Sequence, residues 1–394
     1  MLHFRWLHLL NRHRVADLGA LLRRPPPVAI LRGTPEYAAR LACLGIRFAL
    51  DRRPREARRV LSCALREIGP ADRPEAIHER ATILAWLARA TAELGDRDAA
   101  GRLVREAASM ARKFRSFPLQ SLVGNTAAYI QYQGGGYEQA LREHLAICFA
   151  PSRRNVRDRS TVAMALLNGA RCAFKLGRHG QSRRLVLRAR PLVRACPYPQ
   201  LQGYLRLLEG DLRREQAAPA DLRQARKLYD AAEGIFRTQG DGCLWWLGQV
   251  CLSRGALCLR EQRPVEALRE AARVLELGRQ EGAVDLQAES ILLKSHLLLE
   301  KDIPCLDIYE DLLRQLGLIR DPVVMFQVVA NLYLYSWDLE EHIELTALHL
   351  RQLSDLRDLL PEGTFRQLYR TLVSERVFAR FRRRFGGECQ EALS

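Results

Sequence analysis

A small residue returns at an almost constant interval along this chain: Ala57, Ala100, Ala140, Ser182, Ala225, Ala267 and Cys305. The intervals are 43, 40, 42, 43, 42 and 38 residues. A unit that short cannot bury its own apolar side, so a sequence repeating at this period must stack unit on unit and build a core that grows with each copy. Ala81–Phe114 shows what one unit is. Ile83, Leu84, Leu87, Ala88 and Leu94 recur at helical spacing. Gly95 ends that helix and Asp96 is placed to cap the next. The second helix carries Ala100, Leu103, Val104, Ala107, Ala108 and Ala111 on one side. The unit is a helical hairpin.

The recurring residues resemble the tetratricopeptide repeat. Leu87-Ala88 stands where that family has its Leu-Gly/Ala pair, Gly95-Asp96 matches its turn, and Ala100 and Ala107 match its small second-helix positions. The family's Trp and Tyr signature positions and its final Pro are poorly kept, and its period is nearer 34. The longer period is similar to the variants attached to bacterial signalling ATPases and transcription activators. The resemblance implies an all-α, right-handed α-solenoid of about eight hairpins with capping helices at both ends.

Eight hairpins are expected in order, followed by a last helix at about 363–385. The domain division is 1–33 for an N-terminal basic amphipathic helix and Pro linker, 34–357 for the solenoid, and 358–394 for a capping helix and basic tail. Residues 1–24 are rich in Leu and Arg with Asp17 alone acidic. They fit a cap over the first hairpin, a membrane-surface helix or a targeting segment.

Composition narrows the function. The ten cysteines are scattered with no CxxC pair, and the nine histidines lack metal-ligand spacing. Buried free thiols point to a reducing, cytoplasmic setting, and no apolar run reaches membrane-spanning length. The phosphate loop, GxSxG elbow, HExxH, EF-hand loop and strand-linked GxGxxG are all missing. A non-enzymatic protein with no cofactor is expected. The net charge is +17, and five lysines leave 57 arginines among the 62 basic residues. This skew matches a GC-rich coding bias, and it also fits attraction for polyanions or acidic partners.

The charge is uneven. Residues 151–194 hold twelve basic residues against Asp158, and 281–345 hold thirteen acidic against four basic. Arg153, Arg154, Arg157, Arg159, Arg183, Arg184, Arg188 and Arg190 form the candidate basic patch. It reads either as a site for an acidic peptide or nucleic acid, or as a solvated face drawn to the acidic segment. Neither a helix-turn-helix nor an aromatic stacking motif accompanies it.

In tetratricopeptide arrays the first helix of each hairpin lines a groove that binds extended peptides. Under the resemblance, counting back from the turn glycines places Asn125, Tyr129, Tyr132 and Gln133 there in hairpin three, Asn168, Arg171 and Lys175 in hairpin four, and Asp211 in hairpin five. Asn can hydrogen-bond a peptide backbone in both directions, and Arg and Lys can grip a carboxylate. Ala85, Arg89 and Glu93 in hairpin two are expected to be plainer. The functional expectation is a protein- or peptide-binding scaffold or regulatory adaptor. The alternatives are nucleic-acid binding through 151–194, or the sensor arm of a bacterial signalling or transcription-regulating system.

Overall fold

The computed structural model describes residues 34–50, 53–68, 74–114, 116–149, 159–239, 243–300, 306–316, 318–319, 321–338 and 343–374. The N-terminal segment 1–33, Arg153, Arg154, Arg157, Cys305 and the chain after 374 lie outside these residues. The described residues form seventeen helices and no strand.

They pair as expected. Hairpin one is α1 (Pro35–Leu50) with α2 (Pro54–Glu67), and hairpin two is α3 (Pro74–Glu93) with α4 (Arg97–Phe114). Then come α5 (Phe117–Gln133) with α6 (Tyr137–Phe149), and α7 (Ser160–Lys175) with α8 (His179–Arg194). Next are α9 (Pro199–Arg214) with α10 (Pro219–Arg237), and α11 (Leu244–Arg260) with α12 (Pro264–Glu281). Last are α13 (Val284–Glu300) with α14 (Leu306–Leu316), α15 (Pro322–Asp338) with α16 (Ile343–Leu359), and a single helix α17 (Glu362–Ser374). Neighbours in sequence pack together, as α1 does on α2, α3 on α4, α9 on α10 and α11 on α12, and first helices also touch first helices, as α9 does α11 and α11 does α13. The fold is an all-α solenoid of tetratricopeptide-like hairpins.

Local chemistry sets the ends. Proline opens α2, α9, α10 and α12, where its missing N–H is one the helix would leave unpaired anyway. Asp96 caps α4 by accepting the Ala99 N–H at 3.0 Å. Gly95 is left-handed at φ 90°, and the N–H of Asp96 reaches back to the Thr91 carbonyl at 3.2 Å, so the orphan carbonyls of α3 are closed. Hairpins five and six make the same turn without glycine: Ala217 and Gln262 sit at φ 58° and 57°.

The periodic small residues are where the hairpins close. Ala57, Ala100, Ala140, Ser182, Ala225 and Ala267 are all fully buried. Ser182 keeps its hydroxyl satisfied by donating to the Ala170 carbonyl at 2.8 Å. In hairpin five the roles invert. A Cβ on Gly210 would lie 2.5 Å from the Tyr229 ring, so only glycine admits that ring between α9 and α10. Tyr229 and Phe236 are completely buried there, and each such side chain contributes about 2–3 kcal/mol of hydrophobic stabilisation.

The helices divide into two compact units, one of Met1–Gln131 with Arg142–Ala165 and one of Tyr132–Leu141 with Leu166–Ser394. In the first, α1 to α3 share one core around Ile46, Leu61 and Ile83, and α3 to α5 share another around Leu84, Ala107 and Leu119. In the second, the core around Tyr229, Phe236 and Leu257 joins α9 to α11. The second unit returns on its own beginning. Gly135, at φ 75°, has Leu360 and Val323 packed where a Cβ would stand, and its carbonyl accepts a 2.6 Å hydrogen bond from Thr364. The Gln367 carboxamide lies against Gly177 in the same way.

Candidate ligand-binding face

Asn168, Arg171 and Lys175 lie three and four residues apart on α7, so they share one helix face. In the second unit this face meets the first helices of the following hairpins. Arg171 donates from Nε to the Tyr132 hydroxyl at 3.0 Å and from Nη2 to Gln249 Oε1 at 2.6 Å. Its guanidinium carbon lies 5.4 Å from the centre of the Trp245 ring and 6.0 Å from that of Tyr132, a cation held between two aromatic faces. Gln249 passes the contact on, donating from Nε2 to Glu289 on α13 at 3.3 Å. The amide's orientation is forced, because a guanidinium only donates and a carboxylate only accepts. Arg171, Gln249 and Glu289 are all half-buried. They are recessed, yet solvent still reaches them.

The carboxylates on this face are held in unusual states. Burial, with Asp285 one turn away, raises Glu289 above the usual carboxylate range against the pull of Lys175 and Arg171. Asp321 caps α15 by accepting the Val323 N–H at 2.8 Å. That hydrogen bond favours its charge, as does Lys175, yet burial first and the charges of Asp285 and Glu289 after it push its carboxyl up to about 7. Burial and then Asp321 also raise the Tyr137 phenol, whose ring lies 5.0 Å from that of Tyr132.

Among the described residues no carboxylate lies within 4.0 Å of Arg171 or Lys175, and no Lys, Arg or His nitrogen lies within 4.0 Å of Glu289 or Asp321. Elsewhere in the same unit buried charges are joined directly. Arg254 reaches Glu233 at 2.7 Å and Glu270 at 2.8 Å, tying α10, α11 and α12 together.

The structure sorts the expected residues. Tyr132, Arg171 and Lys175 come together on this face; Asn168 is half-buried one turn before Arg171, and Gln133 is half-buried beside Tyr132. Asp211 is already engaged: it accepts the Tyr229 hydroxyl at 2.9 Å and lies 3.4 Å from Arg214. Asn125 and Tyr129 belong to the first unit. There the Tyr129 hydroxyl donates to Glu93 at 2.9 Å, and Arg89 lies over the Tyr129 ring at 4.7 Å. Hairpin two is therefore less plain than its own sequence implies, because its Arg89 and Glu93 are completed by a helix of the next hairpin. Ala85 is fully buried rather than presented. The Asn125 side-chain oxygen is buried with no hydrogen-bond partner among the described residues.

The basic segment is not one surface. Arg171 and Lys175 are half-buried, whereas Arg159 and, on α8, Arg183, Arg184 and Arg188 are exposed. Arg190 is spoken for by Glu209 at 2.7 Å and Arg178 by Glu138 at 3.1 Å.

Trp245, Gln249, Asp285, Glu289 and Asp321 escaped the sequence reading. Gln249 stands thirteen residues before the hairpin-six turn at Gln262, farther back than the two or three helical turns counted in hairpins three to five. Hairpins seven and eight offer no turn glycine to count from. The remaining signal was the acidic excess of 281–345, from which Asp285, Glu289 and Asp321 come.

No protein-family model matches the chain, and no curated protein matches it. Among solved structures it is similar to a Rap protein complexed with competence and sporulation factor. The TM-score is 0.59 at 11% identity, over 91% of this chain and 99% of that one. A circular tandem repeat protein aligns over 91% of the chain at 14% identity, but its TM-score of 0.23 is too low to carry an argument. The chain thus has the helical-repeat fold of the Rap protein. Among the described residues no helix is long and apolar enough to cross a membrane.

Proposed function

We propose that this chain is a non-enzymatic regulator that binds a peptide, or a segment of a partner protein, on the inner face of its second unit. The observation that carries this reading is Arg171. It is a recessed cation positioned by a phenol, an amide and an indole rather than neutralised by a carboxylate. Positioning partners of that kind leave the charge available to an incoming anionic group, and a preformed face lowers the ordering cost of binding. The likeness in fold to a Rap protein held with competence and sporulation factor supports the reading. Polyanion binding through α8 draws less support, since Arg190 and Arg178 are ion-paired and the inward arginine and lysine belong to a different face.

The test uses the intact chain and its Arg171→Gln variant, each mixed with a pooled library of random-sequence hexapeptides and separated by gel filtration. Peptides retained by the wild type and lost from the folded variant are expected, as read by mass spectrometry. Equal retention by both proteins, or none by the wild type, would overturn the assignment.

A further inference from the structure

Resting on that peptide-binding reading, we infer that the inner face selects a ligand carrying charges of both signs: an anionic group at Arg171 and Lys175, a cationic group at Glu289 and Asp321, with Gln249 as the neutral spacer between the two subsites.

The inference comes from how the charges are kept apart. A recessed cation and a recessed anion that served only the fold would gain most by touching, because an unpaired buried charge is strongly destabilising. The chain makes such direct pairs nearby, at Arg254 with Glu233 and Glu270. At this face it inserts an amide instead, with Arg171 at 2.6 Å on one side of Gln249 and Glu289 at 3.3 Å on the other. Lys175 and Asp321 are kept apart as well, with no bridging amide between them among the described residues. Each bears on the other's charge, yet they are not in contact. Asp321 uses one oxygen on the Val323 N–H, and Glu289 accepts only the Gln249 amide among the described residues. Both carboxylates keep lone pairs for a further donor. A short peptide with free ends has the required pair of charges, and so does one with a basic and an acidic side chain. The Tyr132 and Trp245 rings beside Arg171 supply apolar surface between charged groups.

The experiment offers the wild-type chain a pooled random-sequence hexapeptide library in four forms: free, N-acetylated, C-amidated and capped at both ends. Retention is read by gel filtration and mass spectrometry. If the charges are read at the peptide ends, each single cap weakens retention and the double cap lowers it by about tenfold or more. If they are read on side chains, the doubly capped peptides that remain are enriched in Lys or Arg together with Asp or Glu. Capped and free pools retained equally, with no such enrichment, would overturn the two-charge inference and leave peptide binding standing. Retention of no pool in any form would overturn the peptide reading, and this inference with it.

Discussion

The hydroxyl of Thr364 donates a 2.6 Å hydrogen bond to the carbonyl oxygen of Gly135, a residue 229 positions earlier. Thr364 is buried and so is Gly135. The bond joins α17 to the turn of hairpin three, and Leu360 and Val323 close around the same turn. Thr364→Val keeps the shape and deletes the donor, leaving the glycine carbonyl without this partner. The variant should lose about 1–2 kcal/mol in urea unfolding, with faster hydrogen exchange across Glu362–Ser374. Unchanged stability and exchange would show that the contact does not hold α17.

The two turns without glycine should be sites of gain. Ala217 and Gln262 occupy the left-handed region, which costs an L-residue about 1–2 kcal/mol. Glycine removes that strain and returns about 0.4–1 kcal/mol through the freer unfolded chain. Ala217→Gly and Gln262→Gly should each stabilise by about 0.5–1 kcal/mol on balance. Gly135→Ala should do the reverse by about 1–3 kcal/mol, since its Cβ would meet Leu360 and Val323 at 3.2 Å as well. Thermal unfolding of the three variants orders them directly.

Asp321 predicts a pH dependence. Its carboxyl lies at about 7 when folded against 3.8 ordinarily, facing Asp285 and Glu289 from α13, Lys175 from α7 and Tyr137 from α6. Between those two values the folded chain holds a proton that the unfolded chain does not. Stability of the ligand-free protein should therefore rise as pH falls from about 8 toward 5, with at most about 1.4 kcal/mol per pH unit from this group. Glu289 adds in the same direction. Asp321→Asn, whose amide can still cap α15, should flatten the profile. Retention of cationic peptides should move oppositely and weaken on acidification. A pH profile that the substitution leaves untouched would count against the assignment.

Gln249→Glu tests the spacer. The new carboxylate would pair with Arg171 directly and face Glu289 with like charge. Peptide retention should fall by about tenfold, equivalent to about 1.4 kcal/mol, while circular dichroism remains that of the wild type. Undiminished retention would show that Arg171 need not stay unpaired.

What the sequence could disclose follows from distance along the chain. Ala57 to Ala267 mark the hairpins because helix pairing is local, and each small residue meets a partner within its own unit or the next. Arg171 and Lys175 could be placed because the Gly177 turn fixes the register of α7. Gln249 is 78 residues from Arg171 and 40 from Glu289, so no spacing rule joins them. Arg89 is instructive in a different way: its own helix supplies Trp86 at 5.5 Å and Glu93 at 3.3 Å, and Tyr129 of the next hairpin adds a second, nearer ring at 4.7 Å that no local spacing announces.

An open solenoid can gain or lose a repeat and stay folded, because each copy needs only its neighbours. The second unit has surrendered that liberty. Helix α17 must arrive at Gly135 and Gly177, so inserting or deleting one hairpin between α8 and α15 would carry Thr364 away from its acceptor and expose both turns. Duplication, the usual route by which such arrays lengthen, is closed to this part of the molecule. Its repeat number is set by the contact of α17 with the Gly135 and Gly177 turns.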